Sequence, residues 1–317
     1  MKDYGEHSCG MEPLAGNSSL TTEERNKNSL QLDTMSTQEI LTLINAEDHK
    51  VAPAVAAAIP EIIEAVDLIA NRLKAGGRLF YVGAGTSGRL GILDVAEIKP
   101  TFGVGLDTVE AIIAGGAKAI TESVEEAEDD FHQGGEELKL RGIGESDVVV
   151  GIAASGSTPF VLGALVTARK RGAATIGIAC NHNSRLRDYS DVTIEVVVGP
   201  EVLTGSTRMK AGSAQKMVLN MISTATMVKL GHVYENLMMG MQITNTKLVH
   251  RAVRIVSAAA GVSADDAAAL LEASGNDIKT AVVMGKLQVD AAAARQLLDR
   301  AEGYVRKAIA LGRNTMD

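Results

Sequence analysis

An α/β fold with a parallel sheet covered on both faces, followed by a small all-helical subdomain, is the architecture this chain predicts, on three observations. Short apolar runs alternate with helical stretches between residues 78 and 198, the pattern of strands joined by crossover helices. Glycine-rich and hydroxyl-rich turns follow those runs at their C-terminal ends. After Thr246 the strand signal disappears and an Ala-rich helical pattern takes over. The chain's 317 residues and 46% apolar content can fill one large domain and a small one. Trp is absent and aromatics are 3%, so aliphatic side chains and Met must build the core.

Residues 1–35 are polar without a sustained period and read as an N-terminal arm, partly mobile. The large domain is expected over 36–245 and the helical subdomain over 246–317. Ser36-Thr37-Gln38-Glu39 has the form of a capping box ahead of Ile40, Leu41, Leu43 and Ile44. Pro60 suits the first turn of a helix carrying Ile62, Ile63, Val66 and Ile69, closed by Gly76-Gly77. Strands are expected at 78–82, 109–114, 147–153, 174–179 and 192–198. Helices are expected at 89–98, limited by Pro100, and at 159–171, stopped by Gly172. The charged stretch 120–140 reads as one helical segment. A polar loop at 205–212 precedes a Met-rich helix over 214–230, and Ser263 is a candidate N-cap in the tail.

A net charge of −8 argues against broad nucleic-acid binding while leaving room for a phosphorylated small molecule. Two cysteines, Cys9 and Cys180, with no CxxC, fit a reducing compartment and no thiolate metal site. His7, His49, His132, His182, His232 and His250 are scattered without metal-ligand spacing. There is no signal-peptide pattern and no apolar stretch long enough to span a bilayer, so a cytoplasmic location without membrane association is expected.

Gly83-Ala84-Gly85-Thr86-Ser87-Gly88 follows an apolar run and opens a helical segment, the form of a dinucleotide fingerprint. That fingerprint needs an acidic residue ending the second strand, and Asp107 precedes the next apolar run instead. A compact phosphate suits the loop better. The N–H groups of a helix start, with the Thr86 and Ser87 hydroxyls, make an anion cradle, and Arg89 adds charge nearby. An ordinary strand-to-helix turn is the plain alternative. Ser155, Ser157 and Thr158 repeat the arrangement after the third expected strand, where helix capping is the simpler reading for one loop alone. Two such loops in one sheet favour a shared ligand, because open α/β sheets bind at strand C-termini. No G-x-S-x-G elbow is present. Ser206, Thr207, Arg208 and Lys210 offer a third set of phosphate or carboxylate contacts, with a solvated basic turn equally open. Glu97 sits late in the helix after the first loop. Glu125, Glu126, Glu128, Asp129 and Asp130 form an acidic run whose default reading is a solvated face, and spacing does not single out Glu128.

Gly83-Ala84-Gly85-Thr86-Ser87-Gly88-Arg89-Leu90-Gly91, Pro100-Thr101-Phe102-Gly103, Gly151-Ile152-Ala153-Ala154-Ser155-Gly156 and Thr204-Gly205-Ser206-Thr207-Arg208-Met209-Lys210-Ala211-Gly212 occur in this order. Together they resemble the N-acetylmuramic acid 6-phosphate etherase family, from about Leu20 to near the C-terminus, including Lys279-Thr280-Ala281 in the tail. The resemblance implies a sugar isomerase (SIS) domain, a flavodoxin-like, doubly wound phosphosugar-binding fold. It implies cleavage of the lactyl ether of N-acetylmuramate 6-phosphate to N-acetylglucosamine 6-phosphate and D-lactate, in recycling of cell-wall sugar. No metal or organic cofactor is implied, and a homodimer is. The family's catalytic acid lies in an Asp-x-x-Glu segment, here Asp94 to Glu97, so Glu97 takes that role. Its second catalytic Glu lies in a Glu-x-x-Glu-Asp segment, so Glu128 takes the other. Thr86, Ser87, Ser155, Ser157, Thr158, Arg208 and Lys210 are then the candidate substrate-binding set. Many relatives carry Ser before the first Glu and Cys-Pro after it, where this chain has Ala96 and Ile98-Lys99. The second loop often carries Arg where this chain has Ser157.

The implied chemistry needs an opened sugar ring, a base at C2 and an acid at the departing lactate oxygen, hence two carboxyls in different protonation states. One spatial difficulty follows. A continuous helix from Gly88 to Glu97 would put Glu97 roughly 15 Å from the first loop, further than a sugar phosphate spans. Either the helix breaks early or the two belong to different copies of the site, and a site near a dimer interface is the expectation. The rival functions on this fold are a sugar-phosphate isomerase and a non-catalytic sugar-phosphate sensor. No helix-turn-helix precedes the domain, which sets aside a transcriptional regulator.

Overall fold

The sheet is built from three strands whose every residue is buried, flanked by two edge strands that are only partly so. A computed structural model describes residues 20–105 and 107–314; of the arm expected over 1–35, residues 1–19 lie outside the described residues. The central strands are β1 (Leu79–Gly83), β3 (Val148–Ile152) and β4 (Ala174–Ala179). Their near-continuous apolar runs are what a parallel sheet covered on both faces requires. Edges are β2 (Val109–Ile113) and β5 (Val192–Glu195), and all five pair in parallel in the order β2-β1-β3-β4-β5. This is the flavodoxin-like 2-1-3-4-5 order. Leu79 pairs with both Val109 and Val148, so β1 and β3 are neighbours and the chain reverses its direction of winding between them.

Alternation along β1 assigns the two helical layers. Leu79 and Tyr81 face a cluster built with α2 (Val51–Ala57), α3 (Ile59–Lys74), α4 (Gly85–Phe102) and α7 (Lys210–Lys229). Phe80 and Val82 face a second cluster with α5 (Phe131–Leu140) and α6 (Pro159–Lys170). Ahead of these, α1 (Thr37–Asp48) begins with the expected capping box between Ser36 and Glu39.

Four elements depart from expectation. α4 starts at Gly85 and runs through Pro100: the proline gives up its N–H and crowds the carbonyl four residues back, but it lies in the last turn, where the Gly103 N–H still donates to Lys99 O. The stretch 120–140 is not one helix. It forms 3₁₀ turns at Gly116–Ile120 and Glu125–Asp129 before α5 begins. The carbonyls of Ala119, Ile120 and Glu122 accept from the Arg89 guanidinium instead of from helical amides, and Asp130 caps α5 through the Gln133 N–H. α7 begins at Lys210, four residues early, because the buried Glu201 carboxylate accepts the Lys210 and Ala211 N–H groups at 3.1 and 2.9 Å. β5 ends at Glu195 rather than 198.

Residues 21–34 form three 3₁₀ turns. They are fastened to the sheet's C-terminal edge: the Thr22 N–H donates to Asn181 Oδ1, and Asn181 Nδ2 donates to Thr22 Oγ1 and Ala154 O. After α7 a short hairpin, β6 (Val233–Tyr234) with β7 (Leu237–Met238), leads to the helical tail. The tail comprises α8 (Thr246–Ala260), α9 (Ala264–Ala273), α10 (Ile278–Leu287), α11 (Ala291–Arg300) and α12 (Val305–Arg313), with a core of its own. This segment reaches back to the end of α4. The backbone at Phe102–Gly103 lies against Gly240 so closely that neither glycine has room for a Cβ, and the Gln242 N–H donates to Pro100 O at 3.4 Å.

Candidate functional site

The first loop lies where β1 passes into α4. Ala84 is extended and the helix begins at the next residue, so the first-turn N–H groups point out over the sheet's C-terminal edge with no intrahelical partner. The second loop lies where β3 leads into α6. Because β1 and β3 are neighbours at the winding reversal, the two loops flank the crevice in which such sheets hold ligands. Thr158 precedes α6 but makes no capping hydrogen bond, so the capping alternative does not account for its hydroxyl. Ser155 Oγ accepts from both the N–H and the hydroxyl of Ser157 at 3.2 Å, which fixes the loop's shape. Asn181 Nδ2, donating to Ala154 O, ties the same loop to Thr22.

The third loop closes on the first: a Cβ on Gly212 would sit 3.4 Å from Thr86 Cγ2. Thr86 is half-buried and Arg208 is exposed. Ser87 is buried, and its hydroxyl donates to Gln215 Oε1 on α7 at 2.9 Å. Lys210 is 1% exposed, and its ammonium donates to Glu47 Oε2 on α1 at 2.7 Å. That ammonium therefore braces the base of the loop against α1 instead of facing the crevice. Burial alone would raise the Glu47 carboxyl, but the hydrogen bonds from Lys210, Lys50 and Asn28 and the Lys210 charge outweigh it and hold Glu47 at about 2.

Glu128 stands on the 3₁₀ turn Glu125–Asp129, whose Ala127 packs on the same apolar cluster as Ala84 of the first loop. The turn also adjoins α6, and Val124 just before it lies against Gly115 at the end of β2, which sets Glu128 on the C-terminal side of the sheet. Its carboxyl is raised, by partial burial first and then by the negative charges of Asp129 and Glu125. Glu97 is not brought there. α4 is unbroken, and Glu97 lies twelve residues beyond Gly85, roughly 18 Å along the axis at about 1.5 Å per residue. Its side chain is on the exposed face of α4, between Leu93, which is 45% exposed, and the exposed Ala96 and Pro100.

Sequence reasoning passed over the groups that hold these pieces. Asp94 lies on the buried stripe of α4 with Gly91, Val95 and Ile98. Its Oδ1 accepts from Lys216 Nζ at 3.3 Å and Ser223 Oγ at 3.4 Å, both on α7. Burial raises the Asp94 carboxyl, against the opposing effects of Lys216 and Ser223. A charge on an otherwise apolar helical stripe was the available signal. For Gln215, Glu201 and Asn181 there was none, since each acts on residues distant in sequence. Among the described residues no group of three His, Cys, Asp or Glu side chains could hold a metal ion, and no helix is long and apolar enough to cross a membrane.

Residues 61–169 match the glucokinase regulatory protein N-terminal SIS domain. The chain is similar to N-acetylmuramic acid 6-phosphate etherase 1 of Bacillus licheniformis, at 50% identity over 293 residues that cover 92% of this chain and 96% of that protein. It is equally similar to the N-acetylmuramic acid 6-phosphate etherase of Klebsiella aerogenes, at 50% identity over 292 residues, covering 92% and 97%. Among solved structures, a phosphoheptose isomerase from Neisseria gonorrhoeae is similar over 60% of this chain and 98% of that one, with 18% identity and a TM-score of 0.48.

Proposed function

The chain belongs to the N-acetylmuramic acid 6-phosphate etherase family, and we propose that it acts by elimination and rehydration, with Glu128 as the base at C2 and Glu97 as the acid at the ether oxygen. It is a carbon–oxygen lyase that cleaves N-acetylmuramic acid 6-phosphate in amino-sugar recycling. The lactyl oxygen at C3 is a poor leaving group until the ring opens and the C1 aldehyde acidifies the C2 proton. Glu128 removes that proton, Glu97 protonates the departing lactate oxygen, and water adds to the unsaturated aldehyde to give N-acetylglucosamine 6-phosphate and D-lactate.

The 6-phosphate sits over the starts of α4 and α6, taking the first-turn N–H groups of α4 and the hydroxyls of Thr86, Ser155, Ser157 and Thr158, with Arg208 supplying charge from the third loop. Ser87 and Lys210 shape those loops through Gln215 and Glu47. Binding the phosphate away from the reacting carbons orients C2 and C3 over Glu128. The observation that supports this reading is the pair of hydroxyl loops at the winding reversal, with the turn that carries Glu128 on the same C-terminal side of the sheet.

Glu97 completes the site from a second copy of the chain, in a homodimer whose interface includes the outward face of α4. The exposed Leu93, Ala96 and Pro100 around it support this, as does an axial separation from the phosphate loops that a sugar phosphate does not bridge.

Turnover in deuterated water tests the chemistry. The wild-type protein releases lactate and leaves solvent label at C2 of the product. Glu97→Gln exchanges C2 without releasing lactate, and Glu128→Gln does neither. Lactate release without label at C2 contradicts the elimination, and an isomerase on this fold would release no lactate at all.

A further inference from the structure

Asp94 is a buried carboxylate that stability alone does not explain. It is 3% exposed and faces the buried Tyr81 hydroxyl from β1, but neither that hydroxyl nor Asp94 Oδ2 completes a well-formed hydrogen bond. A half-satisfied buried charge costs free energy, and an apolar side chain on this stripe would pack without that penalty. What the carboxylate does provide is a directional tie. Lys216 and Ser223 are two turns apart on α7, and both meet Asp94 Oδ1. Neither rotation nor sliding of α4 preserves both contacts.

Glu97 follows Asp94 by three residues, about 60° around the same helix. Any rotation of α4 that Asp94 resists therefore swings Glu97. At a radius of roughly 6 Å, a rotation of about 10° moves the Glu97 carboxyl by about 1 Å, and a misplacement of about 1 Å can cost on the order of 100-fold in rate. Beyond Glu97, the apposition of Phe102–Gly103 with Gly240 anchors the helix end, so the acid sits between two fixed points.

We propose that Asp94, through Lys216 and Ser223, is a positioning residue for the elimination, fixing the rotation of α4 and with it the aim of Glu97 at the ether oxygen. This rests on the reading of Glu97 as the acid. In that role Asp94 touches no substrate, and its effect falls on the protonation of the leaving group but not on C2 proton removal by Glu128, which lies on a separate segment.

The test compares Asp94→Asn, Lys216→Met, Ser223→Ala and Glu97→Gln for lactate release, C2 exchange in deuterated water and thermal melting. Asp94→Asn is expected to lower kcat for lactate release about 10- to 100-fold while KM changes less than about twofold and C2 exchange persists. Lys216→Met moves the same way, and the Asp94→Asn/Lys216→Met double variant is no worse than the poorer single, because the pair acts as a unit. Should Asp94→Asn fail to fold, Lys216→Met and Ser223→Ala carry the same comparison. A folded Asp94→Asn with unchanged kcat overturns the proposal, as does loss of exchange and lactate release in equal proportion. If Glu97→Gln itself still releases lactate, the acid assignment fails. If Glu97→Gln is dead and the Asp94 and Lys216 variants are not, the positioning role alone fails.

Discussion

In the role proposed for it, Glu128 is a base whose neighbours make it stronger. Burial, then Asp129 and Glu125, push its carboxyl above the ordinary 4.5. A base acts in its ionised form, so kcat/KM rises with pH as Glu128 deprotonates. Removing the like charges with Asp129→Asn and Glu125→Gln lowers its pKa, and the acid limb of the kcat/KM profile moves to lower pH. An unmoved limb would mean that another group sets it. Glu47 works in the opposite sense. Held at about 2 when folded against 4.5 for the free side chain, it contributes stability that is complete above 4.5 and is lost as the pH falls toward 2. The melting-temperature gap between wild type and Glu47→Gln is therefore expected to close across that window, and a gap independent of pH would contradict the assignment. Lys210→Met, leaving Glu47 with only Lys50 and Asn28, is expected to lose about 3–5 kcal/mol by denaturant titration. A loss under about 1 kcal/mol would show the pair to be dispensable. From sequence, Lys210 in a Ser/Thr/Arg loop reads as a phosphate ligand. Its actual partner lies 163 residues away and left no local trace.

At the scale of elements, the sheet was legible because β1, β3 and β4 are almost wholly apolar and each is followed by a turn-forming loop. What local pattern could not supply were the boundaries imposed from a distance. Glu201 starts α7 early, Arg89 holds the carbonyls of 119, 120 and 122 out of a helix, and the hairpin before the tail has only two residues per strand. The end of α4 illustrates the same point. Pro100 marks a helix limit in sequence, yet packing against Gly240 holds the helix to Phe102. Gly240→Ala must push a methyl group into the Phe102 carbonyl, and overpacking of this kind costs about 1–3 kcal/mol. A lower melting temperature together with a kcat for lactate release reduced more than C2 exchange is the expected result. A neutral substitution would show that the hairpin does not fix α4.

For the whole molecule, the separated loop motifs made the phosphosugar chemistry readable, while the sequence alone left open whether α4 broke before Glu97. The unbroken helix removes the early break: Glu128 and the hydroxyl loops lie on the C-terminal side of the sheet, and Glu97 lies a long way down α4 on its exposed face. With Glu128 and Glu97 in the roles proposed for them, a complete site requires two copies arranged as an isologous pair, each lending its acid to the other. The most direct measurement is lactate release after inactive Glu97→Gln and Glu128→Gln proteins are mixed and allowed to exchange subunits. Each hybrid dimer restores one intact site, so activity is expected to rise to about a quarter of the wild-type level at equal mixing. A mixture that exchanges subunits but stays inactive would place both carboxyls in one chain and contradict the account.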